Sequence, residues 1–188
     1  MKKHLPNLLT LTRFLIVPIF LYFAIFCKTE SAVIYASLLF IVASLTDYFD
    51  GKLARKFNVV SNFGKIMDPL ADKVLVITAL IALSVNFELI PSWLVYLILI
   101  REILVSVFRE YFAHKKIFIT ANIWGKIKTF MQMAGVIVAL IYESILYLYQ
   151  IPENNSIIDN LFLIFFLIVA VITWISGLKY FFLILRLR

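Results

Sequence analysis

Four aspartates, Asp47, Asp50, Asp68 and Asp72, stand within twenty-six positions of a chain that is otherwise mostly apolar. Asp47 and Asp50 are three residues apart and Asp68 and Asp72 four apart, so on helices each pair shares one face. Carboxylates gathered at low dielectric repel one another, and burying each costs on the order of several kcal/mol unless a cation or hydrogen bonds compensate. Lys52, Arg55, Lys56 and Lys65 lie between the pairs and compensate in part. A divalent ion does so better: carboxylate oxygens suit Mg2+ or Mn2+, and no histidine or cysteine stands among them to favour a softer metal. Three or four carboxylates can hold two such ions about 4 Å apart, the arrangement that clamps attacking and leaving oxygens in phosphoryl transfer. Gly51, Ala54 and Gly64 let backbone approach a bulky ligand or a neighbouring helix. One acidic residue at a helix end is more often an interfacial cap or the partner of a lysine; four of them, interleaved with glycine, alanine and arginine, favour the metal site.

The elements that must position these residues are oily. Of 188 residues 63% are hydrophobic and the mean hydropathy is +0.99, far above what one soluble core needs, so the chain reads as an integral membrane protein. With about 20 apolar residues needed per crossing, the pattern predicts an all-α polytopic protein of six transmembrane helices, at roughly 5–27, 31–52, 64–86, 91–113, 122–149 and 157–184. No linker, repeat or low-complexity run divides it, so residues 1–188 read as a single membrane domain. The first segment has the basic start and apolar run of a secretion signal, but it lacks an A-x-A site and carries Arg13 and Pro18 inside; it reads as a retained helix. Cys27 is the only cysteine, which excludes an intrachain disulfide and a cysteine metal cluster, and it reads as a buried structural thiol.

The net charge of +7 is distributed by side. In the six-span arrangement Lys2, Lys3, Lys52, Arg55, Lys56, Lys65, Lys115, Lys116, Arg186 and Arg188 fall on one side. Opposite them stands Lys28, with Glu30, Glu88, Glu153 and Asp159. The positive-inside rule then places both termini, and the aspartate ends of the second and third spans, in the cytoplasm. Topology and attraction to anionic membrane lipids explain the basic excess, so no nucleic acid is implied.

Written as a pattern, the stretch is Asp47-x2-Asp50-Gly51-x2-Ala54-Arg55-x8-Gly64-x3-Asp68-x3-Asp72. It resembles the signature of the CDP-alcohol phosphatidyltransferase family, with every fixed position filled. The resemblance implies a six-helix membrane fold in which the aspartates hold two divalent ions, Mg2+ or Mn2+, at a cavity open to the cytoplasm. It also implies the reaction, in which an alcohol hydroxyl attacks the lipid-bearing phosphorus of a CDP-linked lipid and CMP leaves. Carried over by position, Asp47, Asp50 and Asp68 are metal ligands, while Asp72 is the general base and also a ligand of the second ion. Gly51, Ala54 and Gly64 line the CDP pocket beside Asp47. Arg55 either contacts the nucleotide or serves as a topological charge. The resemblance alone also suggests a homodimer and a bacterial inner (plasma) membrane location, with the active site facing the cytoplasm.

Three further stretches, LPNLLTLTRFLIVP near the start, IREILVSVFREY from Ile100 to Tyr111 and GKIKTFMQM from Gly125 to Met133, are similar to members whose acceptor is glycerol 3-phosphate. They imply transfer of the phosphatidyl group from CDP-diacylglycerol to that acceptor. Independently, Arg101, Glu102, Arg109 and Glu110 are four ionisable residues in one span, which marks a functional site. They form either a self-satisfied ion-pair network or leave one arginine to grip an anionic phosphate, for which the planar guanidinium is suited. Lys126 and Lys128 point about 200° apart on a helix, so only one reaches inward while the other snorkels. Asn7, Thr10 and Arg13 recur every three residues as a polar stripe, with Asn7 and Thr10 read toward the nucleotide. His4 and His114 read as interfacial bystanders, and Trp93, Trp124, Trp174 and Tyr149 as membrane-interface aromatics. No cysteine, serine or histidine is placed among the aspartates as a covalent nucleophile, so direct displacement is expected. The rivals are the same chemistry on phosphatidylglycerol, inositol phosphate or serine and, from another class, a small cation transporter whose intramembrane carboxylates bind passing ions.

Overall fold

A computed structural model describes the backbone of residues 15–27, 29, 31–57, 62–115, 123–151 and 156–186. Side chains are described at these positions except 47–57, 62–70, 72, 113–114, 156 and 179–186. Six helices and no strand occur among them: α1 Leu15–Phe26, α2 Ala32–Phe57, α3 Asn62–Val85, α4 Ser92–His114, α5 Ile123–Tyr149 and α6 Ser156–Arg186. Over the described residues each predicted segment corresponds to one helix, positions 5–14 of the first lying outside them. The largest difference among these residues is at α2, which runs on to Phe57 because GKLARKF is rich in helix formers although its hydropathy has fallen. Two helical stretches, α5 and Ile157–Leu178 of α6, are long and apolar enough to cross a membrane; Leu15–Phe26, Ala32–Thr46 and Lys73–Val85 are shorter apolar stretches. Large apolar side chains also point outward, with Phe130 74% and Ile157 71% exposed, a surface suited to lipid rather than water.

The chain divides into two compact units, Met1–Phe87 with Val136–Glu153 and Glu88–Gly135 with Asn154–Arg188. In the first, α2 buries Ala32, Val33, Ala36, Ser37, Phe40 and Ala43, and α3 buries Ala71, Leu75, Ala79 and Ala82. These stripes follow the helical period and are dominated by small residues, which lets helices approach closely where lipid supplies no hydrophobic drive. Phe20 of α1 and Phe40 of α2 are fully buried, with ring centroids 5.6 Å apart at a tilt of 53°. Such a pair contributes about 0.5–1.5 kcal/mol beyond its area. A hydroxyl clasp ties α2 to α5: Ser37 Oγ lies 2.7 Å from Ser144 Oγ and 2.8 Å from the Leu140 carbonyl, which Ser144 also reaches at 2.8 Å.

The last turn of α1, Tyr22–Phe26, is π-helical and ends where the Cys27 N–H donates to the Tyr22 carbonyl at 2.8 Å. Asn86, just beyond α3, turns its amide onto the same end and donates to the carbonyls of Ala24 (2.8 Å) and Ile25 (3.1 Å). A helix terminus leaves such acceptors open, and one side chain satisfies two of them here. Cys27 itself is half-exposed, with its sulfur 3.1 Å from the Thr29 hydroxyl, so the expected burial of this thiol is not found. It lies past the end of the last turn of α1.

In the second unit, α4 packs along α6. α4 buries Leu94, Val95, Ile98, Arg101, Val105 and Phe112, and α6 buries Phe162, Phe166, Val169, Ala170, Thr173 and Ser176. The indole N–H of Trp174 donates to the Leu97 carbonyl at 3.2 Å, so this tryptophan fastens α6 to α4 as well as facing outward. Gly135 of α5 sits so close to Phe165 of α6 that an added Cβ would fall 2.3 Å from Cε1 of the ring.

Candidate functional site

The four aspartates belong to the first unit, on two unbroken helices. α2 carries Asp47, Asp50, Gly51, Ala54 and Arg55, and α3 carries Gly64, Asp68 and Asp72. Because both backbones are α-helical through these positions, Asp47 and Asp50 share one face of α2, and Asp68 and Asp72 one face of α3. Pro69 lies within the Asp68–Asp72 turn and brings no N–H, so α3 lacks the hydrogen bond that would otherwise reach the Lys65 carbonyl. The side chains of these aspartates lie outside the described ones; as hard oxygen donors, carboxylates suit divalent ions such as Mg2+ or Mn2+. Asn7 and Thr10 lie outside the described residues.

The second unit gathers polar residues from three helices. Arg101 and Glu102 come from α4, Lys128 from α5, and Thr173, Ser176 and Gly177 from α6. The Lys128 ammonium pairs with Glu102 Oε1, and Arg101 Nη1 stands 3.8 Å from Glu102 Oε2. Arg101 Nη2 donates to Ser176 Oγ, which in turn donates to the Thr173 carbonyl one turn back at 2.8 Å. Arg101 and Lys128 are 5% and 6% exposed, values that long cationic side chains reach only where charge partners meet them. Glu102 is thus met by two cations, Arg101 beside it on α4 and Lys128 from α5.

The structure thus separates the predicted acceptor residues. Arg101 and Lys128 converge on Glu102, whereas Arg109 and Lys126 are exposed on α4 and α5. Of the two lysines, Lys128 is the one that points inward, as helix geometry requires of one of them. Sequence reasoning missed Ser176 and Gly177. Their signal was available: Thr173, Ser176 and Gly177 fall on one face of a helix that is apolar nearly throughout its described side chains.

Comparison with known proteins bears on the same residues. The profile of the CDP-alcohol phosphatidyltransferase family matches residues 3–174, which includes the aspartate pattern and most of the second unit. A CDP-diacylglycerol–glycerol-3-phosphate 3-phosphatidyltransferase of Rickettsia felis is 39% identical over 181 residues, covering 95% of this chain and 94% of its own. The protein of the same name from Bacillus subtilis is 42% identical over 151 residues, covering 74% and 78% of the two chains. That from Wigglesworthia glossinidia brevipalpis is 33% identical over 192 residues, covering 99% and 97%.

Proposed function

The chain belongs to the CDP-alcohol phosphatidyltransferase family, and from that premise we propose that it transfers the phosphatidyl group of CDP-diacylglycerol to glycerol 3-phosphate, forming phosphatidylglycerophosphate and CMP in phospholipid biosynthesis. The observation that carries this reading is end-to-end similarity to several proteins named for that reaction. Two apolar helices and relatives named for work on a lipid make it a membrane protein. We place it further as six spans with both termini in the cytoplasm, in a bacterial inner membrane and as a homodimer, a reading supported by the charge bias and the resemblance.

In the mechanism, Asp47, Asp50, Asp68 and Asp72 would hold two Mg2+ or Mn2+ ions, which when bound neutralise charge on the phosphoryl oxygens. Asp72 takes the proton of the acceptor hydroxyl, within reach of a carboxylate at the edge of such a set. The freed oxygen attacks the phosphorus that carries the lipid, the bond to the CMP oxygen breaks, and CMP leaves with that electron pair. Gly51, Ala54 and Gly64, which carry little or no side chain, leave room for the cytidine diphosphate beside Asp47, with Arg55, Asn7 and Thr10 contributing polar contacts. Arg101 and Lys128 hold the acceptor phosphate, a role supported by their burial and their convergence from two helices on Glu102; Arg109 and Lys126 attract it from exposed positions.

The test is CMP release by purified protein with CDP-diacylglycerol and Mn2+ or Mg2+, with glycerol 3-phosphate, inositol phosphate, serine or phosphatidylglycerol supplied separately. Release with glycerol 3-phosphate alone is the expected result. Release with serine or phosphatidylglycerol overturns the assignment of Arg101 and Lys128 while keeping the chemistry, release with inositol phosphate keeps a phosphate-bearing acceptor but overturns glycerol 3-phosphate as that acceptor, and ion flux in proteoliposomes without CMP would mark a cation transporter.

A further inference from the structure

α6 lies outside the aspartate pattern, yet two of its residues act on one side chain of α4. Ser176 accepts a hydrogen bond from Arg101 Nη2 and spends its own proton on the Thr173 carbonyl at 2.8 Å. The hydroxyl is thereby oriented, with a lone pair held toward the guanidinium. A hydroxyl at 3% exposure in an apolar helix is costly to bury without partners, and here it has both. Gly177 supplies the complementary device. A Cβ at this position would stand 3.2 Å from Arg101 Nε and 3.3 Å from Val105 Cγ2, closer than side chains ordinarily pack, so any larger residue displaces the guanidinium by a few tenths of an ångström. With Nη1 drawn toward Glu102 and Nη2 toward Ser176, the plane of the fork is set from two helices.

We propose that Ser176 and Gly177 are positioning residues for acceptor specificity, fixing the guanidinium of Arg101 in the orientation that receives the phosphate of the acceptor alcohol. The proposal rests on the reading of Arg101 given above. Orientation matters because a guanidinium recognises a phosphate through two parallel N–H donors, and rotation of the fork loses one of them. Ser176 and Gly177 touch no reacting atom; they act through Arg101, so they affect the affinity for one substrate and leave the other alone.

The test is a set of steady-state measurements of KM for glycerol 3-phosphate and for CDP-diacylglycerol, with kcat and melting temperature in the same detergent, on wild type, Ser176→Ala, Ser176→Thr, Gly177→Ala, Arg101→Lys and the Ser176→Ala/Arg101→Lys double variant. Ser176→Ala and Gly177→Ala raise the acceptor KM on the order of 3- to 10-fold, the loss expected when a charged hydrogen bond is misaligned rather than deleted. The KM for CDP-diacylglycerol stays at the wild-type value, and Ser176→Thr, which keeps the hydroxyl, restores the acceptor KM. In the Arg101→Lys background the serine substitution adds nothing, since the fork it orients is gone. An acceptor KM unchanged in Ser176→Ala and Gly177→Ala while Arg101→Lys raises it overturns the positioning role and leaves the reading of Arg101 standing. An acceptor KM unchanged in Arg101→Lys itself overturns that reading, and the proposal with it. Equal rises in both KM values, or a drop in melting temperature with the KM ratio preserved, assign Ser176 a purely structural role and overturn the proposal.

Discussion

Two charged regions of this protein handle their charge in opposite ways. Along α2 and α3, four carboxylates come in pairs on single helix faces, all of one sign. Across α4, α5 and α6, Arg101, Glu102, Lys128 and Ser176 form a mixed-sign cluster joined by ion pairs and a hydrogen bond. A set of like charges gains its stability from a ligand of opposite charge, so it is strained without one and strongly ion-dependent. A mixed set supplies its own counter-charges and is ordered before any ligand arrives. The difference teaches that one chain can hold charge in two ways, as like charges paired along single helix faces and as opposite charges joined between helices.

The largest expected effect comes from the carboxylates. Asp72→Asn lowers the rate of CMP release on the order of 10²- to 10⁴-fold, as loss of a general base does. In ion-free buffer it also raises the melting temperature, because one of four repelling charges has been removed; a lower melting temperature there would break the comparison at its root. Chelation of divalent ions abolishes CMP release from the wild type and lowers its thermal stability, by about 2.7 kcal/mol per ion relative to an ion concentration a hundred times the dissociation constant. Thermal melting with EDTA against Mg2+ or Mn2+ measures this directly.

The mixed cluster answers differently. Glu102→Gln leaves Arg101 and Lys128 buried without their shared carboxylate, a loss of about 3 kcal/mol. The loss has the same size with and without divalent ions, as denaturation in detergent under both conditions will measure; an ion-dependent loss would merge the two regions into one electrostatic system. Gly135→Ala costs about 1–3 kcal/mol by forcing the Phe165 ring from its place, and a second change, Phe165→Leu, recovers part of it. Smallest is the neutral clasp of α2 and α5. Ser37→Ala costs about 0.6–1 kcal/mol, and Ser37→Ala/Ser144→Ala costs less than the sum of the two single changes, since the hydroxyls share one carbonyl and each other.

How far the molecule was legible beforehand follows from the range of the interactions involved. Each of the six helices matches one apolar segment of the sequence, because helix formation and hydropathy are local properties. The charged extension of α2 to Phe57 was not legible from hydropathy, which stops where helix propensity continues. Cys27 was misjudged because burial depends on what covers a residue in the folded chain, and past the end of α1 it is covered only in part. The ionisable residues of α4 were read within their own span, yet a partner of the Glu102 carboxylate is Lys128, from a helix further along the chain.

By itself the sequence determined the six helices, the pairing of aspartates on helix faces and, through a contiguous pattern, the family. These depend on spacing along one chain, where a period of 3.6 residues converts position into direction. The tertiary structure alone decided that Lys128 rather than Lys126 points inward, that Arg101 rather than Arg109 is buried, and that Ser176 and Gly177 hold the guanidinium. Those choices arise where three helices far apart in sequence meet, and a packed interface selects among rotamers and faces that each helix, taken alone, leaves equivalent.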